Sequence, residues 1–171
     1  KELKIVYTPL HGSGNKPVRR ILAEIGIENV FIVKEQELPD PNFSTIKVPN
    51  PEDPAAFAMA MELADTVGAD CIFGTDPDCD RVGVAVRDAE GNYHRLSGNE
   101  VGLLLTEYIL KTRKQTGTMP KKPVLVKTIV TSDLAFPIAK AYDVEVKEVL
   151  TGFKYIGEQI KWFEEKGVGH Y

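Results

Sequence analysis

Cysteine is scarce in this chain: Cys71 and Cys79 are the only two among 171 residues. Two thiols cannot build the disulfide framework of a small secreted fold, so a reducing, cytoplasmic setting is the expectation. No apolar run approaches the roughly 20 residues of a membrane span, and no secretory leader pattern opens the chain. Basic runs are missing too. Lys plus Arg number 21 against 25 Asp plus Glu, a formal charge of −4, which argues against nucleic acid or a membrane surface as partner. Low-complexity segments are absent, and with 43% apolar and 27% charged residues the composition excludes wholesale disorder. The length suits one domain, or one domain and a piece of a second. Because the chain opens at Lys1 directly before a strand and stops at Tyr171 just after a helix, it reads as a piece cut from a longer polypeptide.

Several chemical signatures are also lacking. There is no Gly-x-Ser-x-Gly elbow and no Walker A segment. His11-Gly12-Ser13-Gly14 begins like a dinucleotide fingerprint, but Pro17 stands where the third glycine belongs. The loop could receive an anion at the helix that follows it, yet a tight turn whose glycines take unusual dihedrals explains it more simply. His11 reads as either a general base or a hydrogen-bonded structural residue, the commoner role for a lone histidine in such a loop. His94, His170 and Trp162 carry no readable chemistry.

What is present is an alternation of strands and helices. Lys4–Leu10 reads as a strand, a helix follows around Pro17 and closes at Gly26, and Asn29–Lys34 reads as the next strand. Five prolines between Glu37 and Pro54 make that window a crossing loop, after which Asp53 or a neighbour caps a helix near Ala55–Val67 that Gly68 stops. Asp70–Gly74 is a strand, Thr75–Arg81 a polar loop and Val82–Arg87 a strand. Glu90-Gly91-Asn92 then signals a hairpin and an antiparallel edge. A helix runs from Ser97 or Asn99 to about Lys114, and Gln115–Pro123 reads as a linker. The pattern restarts with strand Val124–Val130, a cap at Thr131-Ser132-Asp133, a helix through Tyr142, strand Val144–Leu150 and helix Phe153–Lys166. Phe153, Ile156, Ile160 and Phe163 fit one packing face of that last helix. The expected fold class is α/β: a three-layer α/β/α domain over 1–116 with a mixed, mostly parallel sheet, and a partial second domain of similar type over 121–171. The missing remainder is expected to leave a sheet edge or helix face of 121–171 exposed.

The sharpest motif is Gly74-Thr75-Asp76-Pro77-Asp78-Cys79-Asp80-Arg81. In an extended segment Asp76, Asp78 and Asp80 would project to one side, neighbours about 6–7 Å apart. Three such charges repel unless a cation sits among them, and a hard divalent ion with oxygen ligands answers that need. Three protein ligands leave positions open for a phosphate oxygen or water, the habit of Mg²⁺ in phosphoryl transfer. Pro77 would stiffen the segment. A calcium EF-hand fails by position, since its sixth and twelfth residues would be Arg81 and Arg87. Two further readings stay open: an aspartyl-phosphate phosphatase with Asp76 or Asp78 as nucleophile, and a non-catalytic binding domain. Cys79 lies between two carboxylates, which should raise its pKa and blunt it as a nucleophile. Thr151-Gly152-Phe153-Lys154 joins a hydroxyl, a free backbone and a cation at a helix start, which suits a phosphosugar or a plain cap.

Together, Thr8-Pro9-Leu10-His11-Gly12, Pro49-Asn50-Pro51-Glu52, Thr75–Arg81 and Thr151-Gly152-Phe153-Lys154 resemble the α-D-phosphohexomutase superfamily, the phosphoglucomutase and phosphomannomutase group. The resemblance implies the second of four domains followed by the start of the third. It also implies Mg²⁺-dependent transfer of a phosphoryl group between glucose 1-phosphate and glucose 6-phosphate, through a phosphoserine enzyme and glucose 1,6-bisphosphate. Asp76, Asp78 and Asp80 would hold the Mg²⁺, and Arg81 would act catalytically on the transferring phosphoryl. Thr151, Gly152 and Lys154 would contact the sugar. Pro77, in place of the commoner glycine, resembles the branch favouring glucose or pentose phosphates over mannose. The family's serine segment, of the Thr-Ala-Ser-His-Asn-Pro type, has no match in this chain. The remaining domains of the parent chain would supply it, and this polypeptide alone is expected to be inactive as a mutase.

Overall fold

A computed structural model describes residues 2–167; His170 lies outside the described residues. The chain divides into two compact units, Lys1–Ser97 and Gly98–Tyr171.

The first unit is a five-stranded sheet in the order β2-β1-β3-β4-β5. Strands β1 (Lys4–Thr8), β2 (Asn29–Ile32) and β3 (Cys71–Thr75) are mutually parallel, with β1 in the middle. β4 (Val82–Arg87) and β5 (Tyr93–Leu96) run antiparallel at one edge. The Glu90-Gly91-Asn92 signal makes the β4–β5 turn, where Gly91 takes φ +96° and the Asn92 N–H donates to Asp88. Helix α1 (Asn15–Glu24) joins β1 to β2 and α2 (Ala58–Val67) leads into β3. Asp53 caps as expected, but it caps a 3₁₀ turn, Pro54–Phe57, that runs on into α2. Gly68, at φ +62°, ends α2 in the left-handed conformation that a side chain would resist.

Burial follows from small residues placed where layers touch. Ala56, Ala60 and Ala64 are fully buried against Val6, Ile72 and Ala85, because alanine lets a helix approach a sheet closely. Gly74 and Gly83 face each other across β3 and β4, and the Phe57 ring sits over both. A Cβ on either glycine would come within 3.0 Å of that ring. Not every apolar position reaches the core: along α1 and its C-cap Ile25, Leu22 is buried while Ile21 and Ile25 are more than half exposed.

The second unit contains α3 (Gly98–Thr116), β6 (Val124–Thr128), α4 (Ala135–Ala141), β7 (Glu145–Val149) and α5 (Phe153–Lys166), with β6 and β7 parallel. Here the expected boundary shifts. The helix expected from Ser97 or Asn99 to about Lys114 falls within a first domain ending at 116 by its sequence, but α3 packs on α4 and belongs to the second unit. Tyr142 Oη donates to Glu107 of α3, and Leu110 joins Ala139 and Val144 in a common core. The polar stretch 115–123 is therefore a connection inside this unit, not a linker between domains. The expected cap at Thr131-Ser132-Asp133 also differs, since α4 begins at Ala135 with Leu134 as N-cap. Ser132 Oγ accepts from the Leu134 N–H instead. Within α5, Phe163 is buried, whereas Phe153 is 89% exposed and lies off the packing face. Leu104, Tyr108, Val130 and Leu134 are exposed as well. Among the described residues no helix is long and apolar enough to cross a membrane.

Candidate metal centre

Strand β3 is buried for most of its length and delivers Asp76 at its carboxyl end, the end at which open α/β sheets bind ligands. Because β4 returns antiparallel, residues 76–81 form the connection of a hairpin, with Thr75 paired to Val82. The expected extended segment is not what forms. The Cys79 N–H donates to the Asp76 carbonyl at 3.0 Å, a tight turn with Pro77 as its second residue, where a fixed φ suits the turn. Cys79 then takes φ +62°. This reversal, not strand alternation, gathers the carboxylates: Asp76, Asp78 and Asp80 each offer a ligand oxygen, all within 4.8 Å of one another.

The three sit in unequal surroundings. Asp76 is buried, its side chain 1% exposed, and both its oxygens accept from Arg81: Oδ1 from the backbone N–H at 2.9 Å, Oδ2 from Nε at 2.7 Å. Burial pushes its pKa up, but these hydrogen bonds from Arg81, with a further one involving Asp78, hold it below the ordinary aspartate value. Asp78 and Asp80 face solvent. Repulsion from Asp78 is the main reason the Asp80 carboxyl is held above its ordinary value, joined by a hydrogen bond with Asp76. Arg81 Nε stands 3.7 Å from Asp80, and the arginine side chain remains 54% exposed. The donor set is all carboxylate oxygen, three acidic groups share the single neighbouring cation Arg81, and Asp78 and Asp80 are exposed. That chemistry fits a hard divalent cation such as Mg²⁺. It does not fit Asp76 as a phosphoryl-accepting nucleophile, because that carboxylate is buried and both its oxygens are engaged by Arg81.

The His11–Gly14 loop, between β1 and α1, packs directly on this turn. The positive-φ residues are His11 (+64°) and, just before the loop, Leu10 (+46°), whereas Gly12 and Gly14 stay at ordinary dihedrals, contrary to the expectation. Their lack of a side chain matters for space: a Cβ on Gly14 would lie 2.7 Å from both Cys79 Sγ and Tyr7 Oη. His11 is a structural residue. Its Nδ1 lies 2.9 Å from the Leu38 carbonyl, so it must donate, and Nε2 lies 2.8 Å from Thr45 Oγ1. The buried Gln36 extends the network, accepting from Thr8 Oγ1 and donating to Thr45.

Thr151, Gly152 and Lys154 belong to the second unit. Thr151 is exposed, Gly152 takes φ +130° as N-cap of α5, and Lys154 Nζ lies 4.7 Å from the centre of the Tyr155 ring. One charged residue of that unit escapes the sequence reading. Lys127, near the carboxyl end of β6, is only 4% exposed. Its ammonium pairs with Glu148 and Asp133, donates to the Thr131 carbonyl and lies 4.9 Å from the Phe136 ring centre. The hydrogen bond to Glu148 raises its pKa and so favours the charged form, despite the opposing effect of burial. The signal was a single lysine inside an otherwise apolar strand, Val-Leu-Val-Lys-Thr.

Comparison with known proteins gives this architecture a family. The phosphoglucomutase/phosphomannomutase alpha/beta/alpha domain II model matches residues 1–91, and the corresponding domain III model matches 97–168. A phosphoglucomutase of Staphylococcus epidermidis is 42% identical over 160 residues, 94% of this chain but 29% of that protein. Among solved structures, a phosphoglucomutase/phosphomannomutase family protein of Burkholderia thailandensis superposes with a TM-score of 0.73 at 18% identity, over 98% of this chain and 33% of that one. The Aspergillus fumigatus N-acetylphosphoglucosamine mutase, solved in complex with GlcNAc-6P and magnesium, gives 0.60 at 15% identity, over 90% of this chain and 31% of its own. The chain thus spans about a third or less of each relative. With both of its compact units matched in order, it belongs to the phosphoglucomutase/phosphomannomutase family, covering that family's alpha/beta/alpha domains II and III.

Proposed function

We propose that this chain contributes the metal loop of a phosphosugar mutase that interconverts hexose 1-phosphate and 6-phosphate, with glucose as the sugar. The observation that carries the reading is the convergence of three carboxylate oxygens within 4.8 Å at the end of a buried strand. Asp76, Asp78 and Asp80 would hold Mg²⁺; when bound, that ion would neutralise charge on a phosphoryl oxygen. Asp76, locked by Arg81, sets the position of the loop, and the exposed Asp78 and Asp80 lend it charge. The half-exposed arginine is left to meet a transferring phosphoryl group, where a guanidinium stabilises developing charge. Thr151, Gly152 and Lys154 would contact the sugar phosphate. Support for glucose is the name of the Staphylococcus relative together with Pro77, and support for a metal and a sugar phosphate is the Aspergillus complex.

The rest of the reaction, a phosphoserine enzyme and a hexose 1,6-bisphosphate intermediate, needs a serine segment that these 171 residues do not contain. The purified chain is therefore expected to show no conversion of glucose 1-phosphate to glucose 6-phosphate. Measurable turnover would refute that. In a longer protein that includes this chain, Asp78→Asn should cost a large part of kcat, and normal turnover with Mg²⁺ would remove the metal role. Beryllofluoride offered to the isolated chain should form no aspartyl adduct.

A further inference from the structure

We infer that the Gly12-Ser13-Gly14 loop is a clamp that presets the 76–81 turn for its cation, acting through the Pro77 carbonyl; this rests on the metal reading above. Pro77 has no N–H, so its carbonyl is the one backbone hydrogen-bonding group between Asp76 and Asp78. Two donors from one residue fix it: the Ser13 N–H at 2.8 Å and the Ser13 hydroxyl at 3.1 Å. The approach is too close for any side chain at Gly12, whose Cβ would stand 2.5 Å from Pro77 Cα and 2.7 Å from Pro77 O. Gly14 admits Cys79 in the same way.

The clamp is itself anchored. The His11 N–H donates to the Gln36 carbonyl at 2.9 Å, and both ring nitrogens of His11 are held by Leu38 and Thr45. Leu10, His11 and Cys79 are three of the five non-glycine residues with positive φ among the described residues, and all three belong to these two loops. Such backbone persists only where surrounding contacts over-determine it. Mutual contact at Pro77 supplies those contacts and holds the acidic turn in shape against its own repulsion. A cation then meets a preset site, so little ordering is charged against its binding. Gly12 and Ser13 are positioning residues: neither is a ligand.

The test uses Mn²⁺ titration by calorimetry and amide hydrogen exchange on the whole chain. Gly12→Ala should weaken Mn²⁺ binding about 10- to 100-fold, the range seen when groups behind metal ligands are disturbed. In metal-free protein it should also speed exchange at the Cys79 and Arg81 amides, which the turn protects. Ser13→Ala, which removes one hydroxyl from an exposed residue, should weaken Mn²⁺ binding about two- to tenfold, and Ser13→Thr should restore it. A folded Gly12→Ala chain with unchanged exchange at those two amides overturns the clamp, whatever the metal does. Should Gly12→Ala not fold, unchanged exchange in Ser13→Ala overturns it equally. Failure of the wild-type chain and Asp78→Asn to differ in Mn²⁺ binding would instead sink the metal reading alone.

Discussion

Asp76 and Asp78 carry the same side chain two positions apart, yet the first is buried under Arg81 and the second faces solvent. Their substitutions should separate accordingly. Asp76→Ala takes the acceptor from the Arg81 N–H and removes a charge-assisted pair, so it should cost about 1–3 kcal/mol in urea unfolding as well as metal binding. Asp78→Asn removes the main source of repulsion on Asp80, and should leave metal-free stability unchanged or slightly higher while metal binding falls. Equal stability losses in the two variants would contradict this assignment. A second residue-scale expectation concerns the β4–β5 turn, where the hydrogen bond from His94 brings the Asp88 carboxyl down to about 2. A depressed carboxylate stabilises the fold above its ordinary value near 3.8 and loses that contribution as pH falls through about 2. Thermal melts of Asp88→Asn and wild type should therefore differ at pH 5 and converge near pH 2.

At the scale of elements, a close junction is the Phe57 ring seated on Gly74 and Gly83. Phe57→Ala should cost about 3–5 kcal/mol through the cavity it leaves. Gly83→Ala, whose new methyl would meet the Pro51 carbonyl at 2.7 Å, should cost about 1–3 kcal/mol by overpacking. Denaturant midpoints with unchanged m-values would check both. In the second unit, Lys127 ties β6 to β7 and to the Thr131–Asp133 loop through one ammonium. Lys127→Ala leaves Glu148 and Asp133 without their counterion and should lower the melting temperature more than Glu148→Gln does, since the latter keeps a hydrogen-bond acceptor.

Across the whole molecule, the two units differ in how much they bury. The first surrounds a central parallel strand, β1, four of whose five residues are buried. The second has two parallel strands, open on both outer edges among the described residues, and a core gathered around Leu110, Ala139 and Val144. Small cores and short sheets are marginal. Hydrogen exchange should therefore release β6 and β7 before β1 and β3, and the opposite order would refute the comparison. The βαβ order within each unit is legible in the sequence, but their border is not. Proline, lysine and glycine at 115–123 look like a linker, and only the packing of α3 on α4 reveals the border near residue 97.

By itself, the sequence determined what depends on neighbours along the chain. Strand and helix order, the stop at Gly68, the turn at Gly91 and the cap at Asp53 all follow from local sterics and hydrogen bonding, and the three alternating aspartates are read directly from the chain. Tertiary structure decided how the loops close and what each side chain meets. It turned the acidic segment back on itself instead of extending it, buried Asp76 beneath Arg81, and used Gly12 and Gly14 for closeness instead of for dihedral freedom. It also made His11 a strut and hid Lys127 between two carboxylates. The physical reason is that the Ser13–Pro77 and His11–Leu38 hydrogen bonds join segments dozens of residues apart and leave no periodic mark on the sequence. The acidic turn and the Asp76–Arg81 pair, by contrast, close within five residues through geometry that alternation alone does not show.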